Sequence, residues 1–185
     1  MLSHAVAEFQ SGDGIHCWKS DSLLIKSNAI TGHRDGIYFE FVTHSVISDN
    51  YSRKNVRYGL HFMFSHDDEY YRNTFRNNGA GVAVMFTNRV KMIDNVFEEN
   101  WGDAAYGLLL KEISDSYISG NQFIRNTSGI HMEGTNRILV EKNTFEANGW
   151  GMKIQASCMD NEIRANNFTG NTFDIGTNGS LVLNT

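Results

Sequence analysis

The sequence contains no proline. Proline carries no N–H and is confined to edges, turns and helix starts. Its absence from all 185 residues, beside abundant glycine and asparagine, fits a chain of many tight turns. Cysteine occurs only at Cys17 and Cys158, too few for a disulfide framework. No apolar run reaches the length of a membrane span, and residues 1–8 lack the basic and apolar segments of a signal peptide. Sixteen Lys and Arg stand against 21 Asp and Glu, a net charge of -5. With no basic tract, nucleic acid is excluded as the main partner. Hydrophobic content is 41% and charged content 20%, the balance of a globular chain with a real core. Glycine, at 17 residues, and recurrent asparagine both tolerate left-handed turn conformations.

The order of these residues is periodic. A glycine opens an apolar strand at Gly14, Gly36, Gly59, Gly81, Gly107, Gly129 and Gly151, with spacings of 22, 23, 22, 26, 22 and 22. An asparagine follows each glycine by 14 residues, or 15 in the last unit: Asn28, Asn50, Asn73, Asn95, Asn121, Asn143 and Asn166. Two registers with one period indicate a repeat architecture. Within each unit, alternation assigns inward columns. One holds Ile15, Ile37, Leu60, Val82, Leu108, Ile130 and Met152. Another, two residues after the asparagine, holds Ile30, Phe75, Phe97, Phe123, Phe145 and Phe168, broken by Ser52.

This pattern predicts an all-β chain, a right-handed single-stranded parallel β-helix of about seven coils of ~22 residues with three short strands per coil. A leucine-rich repeat has a similar period but needs a leucine-dominated unit with a helical piece. Coils stack at about 4.8 Å, so like residues form ladders. The asparagines are expected to form an internal ladder, themselves in the left-handed conformation, with amides bonding neighbouring coils. Cys17 and Cys158 fall about six coils apart, beyond any disulfide. Residues 1–185 read as one domain. Ala5–Phe9 reads as the tail of an earlier coil and residues 172–185 as the start of a further one, so the chain is expected to be a fragment of a longer β-helix without its caps.

The outward columns carry the functional reading. In the stretch 57–67, Leu60, Phe62 and Phe64 are expected to point inward, leaving His61 and Met63 outward. The register then makes Met63 and Met85 neighbours on adjacent coils, with His61 beside them. Two thioethers and an imidazole suit a soft, low-coordinate cation such as Cu(I), and do little for Mg²⁺ or Ca²⁺. The same methionines also serve as an adaptable apolar patch under a loop or partner. Tyr38 and Glu40 are expected to rim the patch from the preceding coil. Four extra residues fall in 100–106, where Trp101 or Tyr106 is expected to wall one side. His66 and Asp67, at the corner after the strand, are expected to add to a partner surface. An enzyme of acidic polysaccharides is the rival reading. Its candidate acids do not pair: Glu40 and Glu133 lie about 19 Å apart by coil rise, too far for glycoside hydrolysis.

An ordered series of segments runs through the chain: GDGIHCW (12–18), HRDGIYFEF (33–41), YGLHFMFSHDD (58–68), GAGVAVMFTNRV (79–90) and YGLLLK (106–111). It resembles the NosD family, β-helical accessory proteins in maturation of the copper enzyme nitrous oxide reductase. The resemblance implies a non-catalytic, periplasmic scaffold for copper-site assembly. It also implies three partners: ABC transporter subunits, a copper chaperone and the reductase. Copper as Cu(I) is the implied cargo, with His61, Met63 and Met85 in the family's strands. Polysaccharide binding or cleavage, at Trp18, Tyr38 and Glu40, stays the alternative, and a protein-interaction platform without metal is a third.

Overall fold

A computed structural model describes residues 11–178. They form a parallel β-helix of about seven coils, with three strands per coil and no helix. The third coil contributes β7 (Tyr58–Met63), β8 (Glu69–Tyr71) and β9 (Thr74–Arg76); the fourth contributes β10 (Ala80–Met85), β11 (Lys91–Ile93) and β12 (Val96–Glu98). Each strand pairs in parallel with its counterpart three strands on, giving one eight-stranded and two seven-stranded sheets. The repeat read from the glycines and asparagines is therefore the coil itself. The expectation for Ala5–Phe9 lies outside the described residues, as does that for 179–185; Phe173–Thr177 pairs in parallel with Trp150–Ile154.

The glycine column follows from close approach of successive coils. A Cβ on Gly59 would stand 2.7 Å from the Gly81 carbonyl oxygen and 2.9 Å from a ring carbon of Phe75. Gly107 has the same problem, 2.8 Å from the Gly129 carbonyl. Any side chain there would push two coils apart, so glycine is dictated by space. Its would-be side chain points inward, and so does the residue after it. The strand bends at that point, and the residue before the glycine faces out.

The core is a set of ladders. Phe75, Phe97, Phe123 and Phe145 are fully buried and stack through centroid distances of 5.6, 4.6 and 4.8 Å. The asparagine ladder is equally regular. The N–H and Nδ2 of Asn50 both donate to Asn73 Oδ1, at 3.0 and 2.9 Å, while Nδ2 also donates to the Ile25 carbonyl at 3.0 Å. One amide thus ties three coils together and satisfies buried backbone groups that have no strand partner. Contrary to the expectation from sequence, the asparagines are not themselves left-handed; the residues before them are, as at Asp49 (φ 57), Arg72 (φ 53) and Asp94 (φ 54). The preceding residue makes the turn, which leaves asparagine free to aim its amide inward.

A second ladder runs parallel to the first through Asn55, Asn78, Asn100, Asn126, Asn148 and Asn171. It was not anticipated, although each member lies five residues after a first-ladder asparagine. Phe64 is a second correction. It is 37% exposed at φ 51, stacked outside the helix between Phe41 and Phe86. The corner residue is left-handed, which breaks the alternation and turns its side chain outward. Cys17 and Cys158 are free and half-buried.

Several buried polar atoms have no partner, the Tyr70 hydroxyl among them. Tyr70 is fully buried and its hydroxyl has no hydrogen-bond partner; burial pushes its pKa well up. Leaving such a group unpaired costs about 1–3 kcal/mol. Tyr70→Phe keeps the ring in contact with Phe62 and Phe75 and is expected to raise the denaturation midpoint; unfolding in urea measures it, and a loss of stability would show a partner for the hydroxyl.

Candidate functional site

The eight-stranded sheet presents its outer face in three columns. Before each glycine lie Asp35, Tyr58, Ala80 and Tyr106 in successive coils. Two residues after it lie Tyr38, His61, Ala83 and Leu109, and four after it lie Glu40, Met63, Met85 and Lys111. Strand pairing fixes their order: Tyr38, His61 and Ala83 are consecutive Cα partners, and so are Glu40, Met63 and Met85. The two methionines are therefore direct neighbours, both half-buried, between the carboxylate of Glu40 and the ammonium of Lys111. Lys111 is turned to Glu133 at 3.0 Å.

His61 departs from a solvent-facing imidazole. It lies on the outer face yet is only 6% exposed. Its ring stacks on Tyr38 at 4.9 Å and packs against Tyr58 at 4.7 Å. Asp35, fully buried, places one carboxylate oxygen 3.2 Å from His61 Nδ1 and the other 3.3 Å from the Tyr58 N–H. The Arg57 guanidinium stands 3.8 Å from the same carboxylate. A carboxylate accepts only, so Nδ1 is the nitrogen that donates to it. Nε2 is buried and has no partner. An imidazole oriented by a carboxylate through one nitrogen, with the other free, has the form of a metal-ligating histidine.

His131 occupies the same column three coils on and is also buried, with Nδ1 unpartnered. Its Nε2 faces the Gln155 amide at 3.4 Å, and its strand neighbours are Leu109 and Lys153. Burial and the nearby lysines lower its pKa. No thioether adjoins it in the ladder.

The other expected residues separate into two groups. Tyr38 and Glu40 do border His61 and Met63. Trp101 and Tyr106 do not wall the methionine pair. The 101–105 loop lines a cleft of about 380 Å³ with Val56, Arg57, Tyr58, Gly79 and Ala80, at the end of β7 opposite Met63. Tyr106 packs on His131 at 4.8 Å. Thr127 holds the loop, accepting from the Gly102 N–H and donating to its carbonyl, both at 3.1 Å. At the corner, His66 Nδ1 accepts the Asn88 N–H at 3.2 Å, and Asp67 forms a double bond pair with Arg89 at 2.6 and 2.8 Å. Asp35, Tyr58 and Arg57 were not singled out around His61 from sequence; the bend at each glycine brings the residue before it onto this face.

Among the described residues, no group of three or more His, Cys, Asp or Glu is placed to hold a metal. A metal at this face would need the thioethers. The corner holds one strongly displaced acid: Asp68, fully buried, accepts the Ser45 N–H at 2.8 Å, and burial pushes its pKa up to about 7. An aspartate in an unfolded chain titrates near 3.9. Below about pH 4 the group is neutral in both states. As pH rises toward 7 the unfolded state ionises first, so stability is lost across that window, by at most about 4 kcal/mol. Asp68→Asn retains an acceptor for Ser45 and is expected to flatten the fall in melting temperature between pH 4 and pH 7. Thermal melts across that range test it; an unchanged slope would show that Asp68 ionises freely.

The comparisons with known proteins address fold and family separately. Solved structures of similar fold include mannuronan C-5 epimerases and an alginate lyase. The Azotobacter vinelandii mannuronan C-5 epimerase AlgE4 A-module matches with a TM-score of 0.70 at 17% identity, over 86% of this chain and 57% of that one. The AlgE6 A-module from the same organism gives 0.74 at 13%, over 85% and 52%. An alginate lyase from Paenibacillus sp. str. FPU-7 gives 0.63 at 14%, over 86% and 75%. The chain thus spans little over half the length of either epimerase module, and identities this low show a shared β-helix alone. No curated protein matches. No helix among the described residues is long and apolar enough to cross a membrane. Residues 2–185 match the family described as "Periplasmic copper-binding protein (NosD)", and with the match running over essentially the whole repeat, the chain belongs to the NosD family.

Proposed function

We propose that this chain is a β-helical scaffold for copper-site assembly that takes Cu(I) as cargo at His61, Met63 and Met85. The observation that carries the reading is His61 Nε2: a buried ring nitrogen with no partner, its ring oriented by Asp35, beside two methionines on adjacent rungs. Imidazole and thioether are the donor set for Cu(I), and thioethers discriminate against the hard cations. Asp35 keeps Nδ1 occupied, so the ring meets the ion through Nε2 alone. Tyr38 covers a face of the ring and Tyr58 packs tilted against it. The family description supports copper as the metal and the periplasm as the compartment. With them we propose the family's partners: a copper chaperone as donor, nitrous oxide reductase as acceptor and ABC transporter subunits as the membrane base.

Titration of Cu(I) against a chromophoric competing chelator tests the site. The wild-type chain is expected to take one ion. Met63→Leu/Met85→Leu, which preserves volume, is expected to weaken uptake by about tenfold or more. Equal uptake by a folded double variant would sink the metal role and leave the methionines as an apolar contact.

A second reading, binding of an acidic polysaccharide, is favoured by one feature. The cleft beneath the 101–105 loop combines the exposed Trp101 ring with Tyr58 and Arg57, groups suited to a sugar ring and its carboxylate. The fold is shared with a mannuronan C-5 epimerase and an alginate lyase. Quenching of tryptophan fluorescence by polyuronate, lost in Trp101→Ala, would support it; no change on adding polymer would remove it.

A further inference from the structure

The third sheet carries an electrostatic irregularity. Of the nine arginines in the chain, eight lie within 4.0 Å of a carboxylate: Arg34, Arg57, Arg72, Arg76, Arg89, Arg125, Arg137 and Arg164. Arg53 has no such partner among the described residues; its guanidinium lies over the Tyr51 ring at 5.4 Å. Lys54, the next residue, also has no carboxylate partner among them. Lys19 and Lys153 share that lack, but each lies over a tryptophan. The unpaired arginine and the unpaired lysine are thus adjacent, and they line one cavity of about 240 Å³ with Tyr51, Arg76, Asn77 and Glu99.

The repeat explains how the imbalance arises. Arg53, at the end of β6 (Tyr51–Arg53), is the direct strand partner of Arg76, and like charges facing each other in a sheet are destabilising. Arg76 is drawn to the next coil, 3.0 Å from Glu99 and 3.6 Å from Glu98. Arg125 approaches the same two acids from the far side, with Glu99 at 3.3 Å. Two carboxylates are therefore shared by two arginines, and nothing remains for Arg53 and Lys54. Tyr51 adds a hydroxyl and Asn77 an amide to the cavity lining.

We propose that Arg53, Lys54 and Arg76 bind an oxyanion of the phosphate or sulfate class in this cavity, on a sheet separate from the methionine face. A dianion matches the two uncompensated positive charges. Placed between the facing arginines, it turns a repulsive rung into two charge-assisted contacts, and the planar guanidinium fork suits its oxygens. The assignment does not depend on the copper reading.

Inorganic phosphate, titrated at constant ionic strength and followed by NMR at the Arg53 Nε–H and the Asn77 amide, is the direct test. Saturable shifts with a Kd of about 1 mM are expected. Arg53→Gln/Lys54→Gln, at exposed positions, is expected to weaken binding at least about tenfold without lowering the melting temperature. Lys19→Gln/Lys153→Gln is expected to leave binding unchanged. Sedimentation with phosphatidylglycerol vesicles separates the sources: capture lost in the first variant assigns the anion to a headgroup, while phosphate saturation without capture assigns it to free oxyanion. Shifts that never saturate, or that persist in Arg53→Gln/Lys54→Gln, would overturn the proposal.

Discussion

A buried amide in a parallel solenoid has to be answered by the coil before it and the coil after it. Asn73 meets this requirement in full: its Oδ1 takes two donors from Asn50, while its Nδ2 donates to Asn95 Oδ1 and the Ile47 carbonyl. Replacing one asparagine leaves groups unpaired in both neighbours, so the residue propagates along the axis. The phenylalanine ladder and the glycine column obey the same rule through shape. Each glycine is demanded by a carbonyl oxygen of the coil above it, and proline, without an N–H, has nowhere to enter such a stack.

This rule divides the molecule into positions without choice and positions with it. Inner columns are set by their neighbours, whereas outer columns vary from coil to coil. The column of His61 accepts Ala83, fully buried, and Leu109, at 8% exposure. Packing alone is therefore met there by apolar side chains. An imidazole with one unpaired buried nitrogen costs about 1–3 kcal/mol against them, and it brings with it the fully buried Asp35. Packing does not require the imidazole at this position, and the proposed copper role would account for it.

Periodicity made the fold legible. Glycine and asparagine registers define the coil, and the coil rise alone places Met85 beside Met63 across 22 residues of sequence. Where the reading stopped, a break in alternation was the cause. Phe64 looked like an inner rung because strand logic was carried one residue past the strand, onto the left-handed corner itself. The second asparagine ladder was present in segments such as Asn95-Val96-Phe97-Glu98-Glu99-Asn100, yet its members sit just beyond a corner, where alternation no longer says which way a side chain points. Asp35 was missed as the partner of His61 for a related reason. Both Gly59 and Leu60 face inward, so residues before the glycine reach the outer face out of step with the strand that follows. The 101–105 loop obeyed chain length but not position: an insertion before a glycine sits at the start of the strand, and Met85 is at its end.

The same geometry keeps the two proposed sites apart. His61, Met63 and Met85 belong to the eight-stranded sheet, and Arg53 and Arg76 to the sheet that carries the phenylalanine ladder on its inner side. Between them lie buried rungs such as Leu60, Phe62 and Phe75, and the second asparagine ladder. Substitutions on outer columns of different sheets share no partner, so their effects are expected to add. A solenoid thus offers each face to a different ligand at the expense of only one requirement, that the inner rungs stay in register. The proposed copper site on one face and the proposed anion site on another would be separable in one stack because the ladders between them hold each face in register.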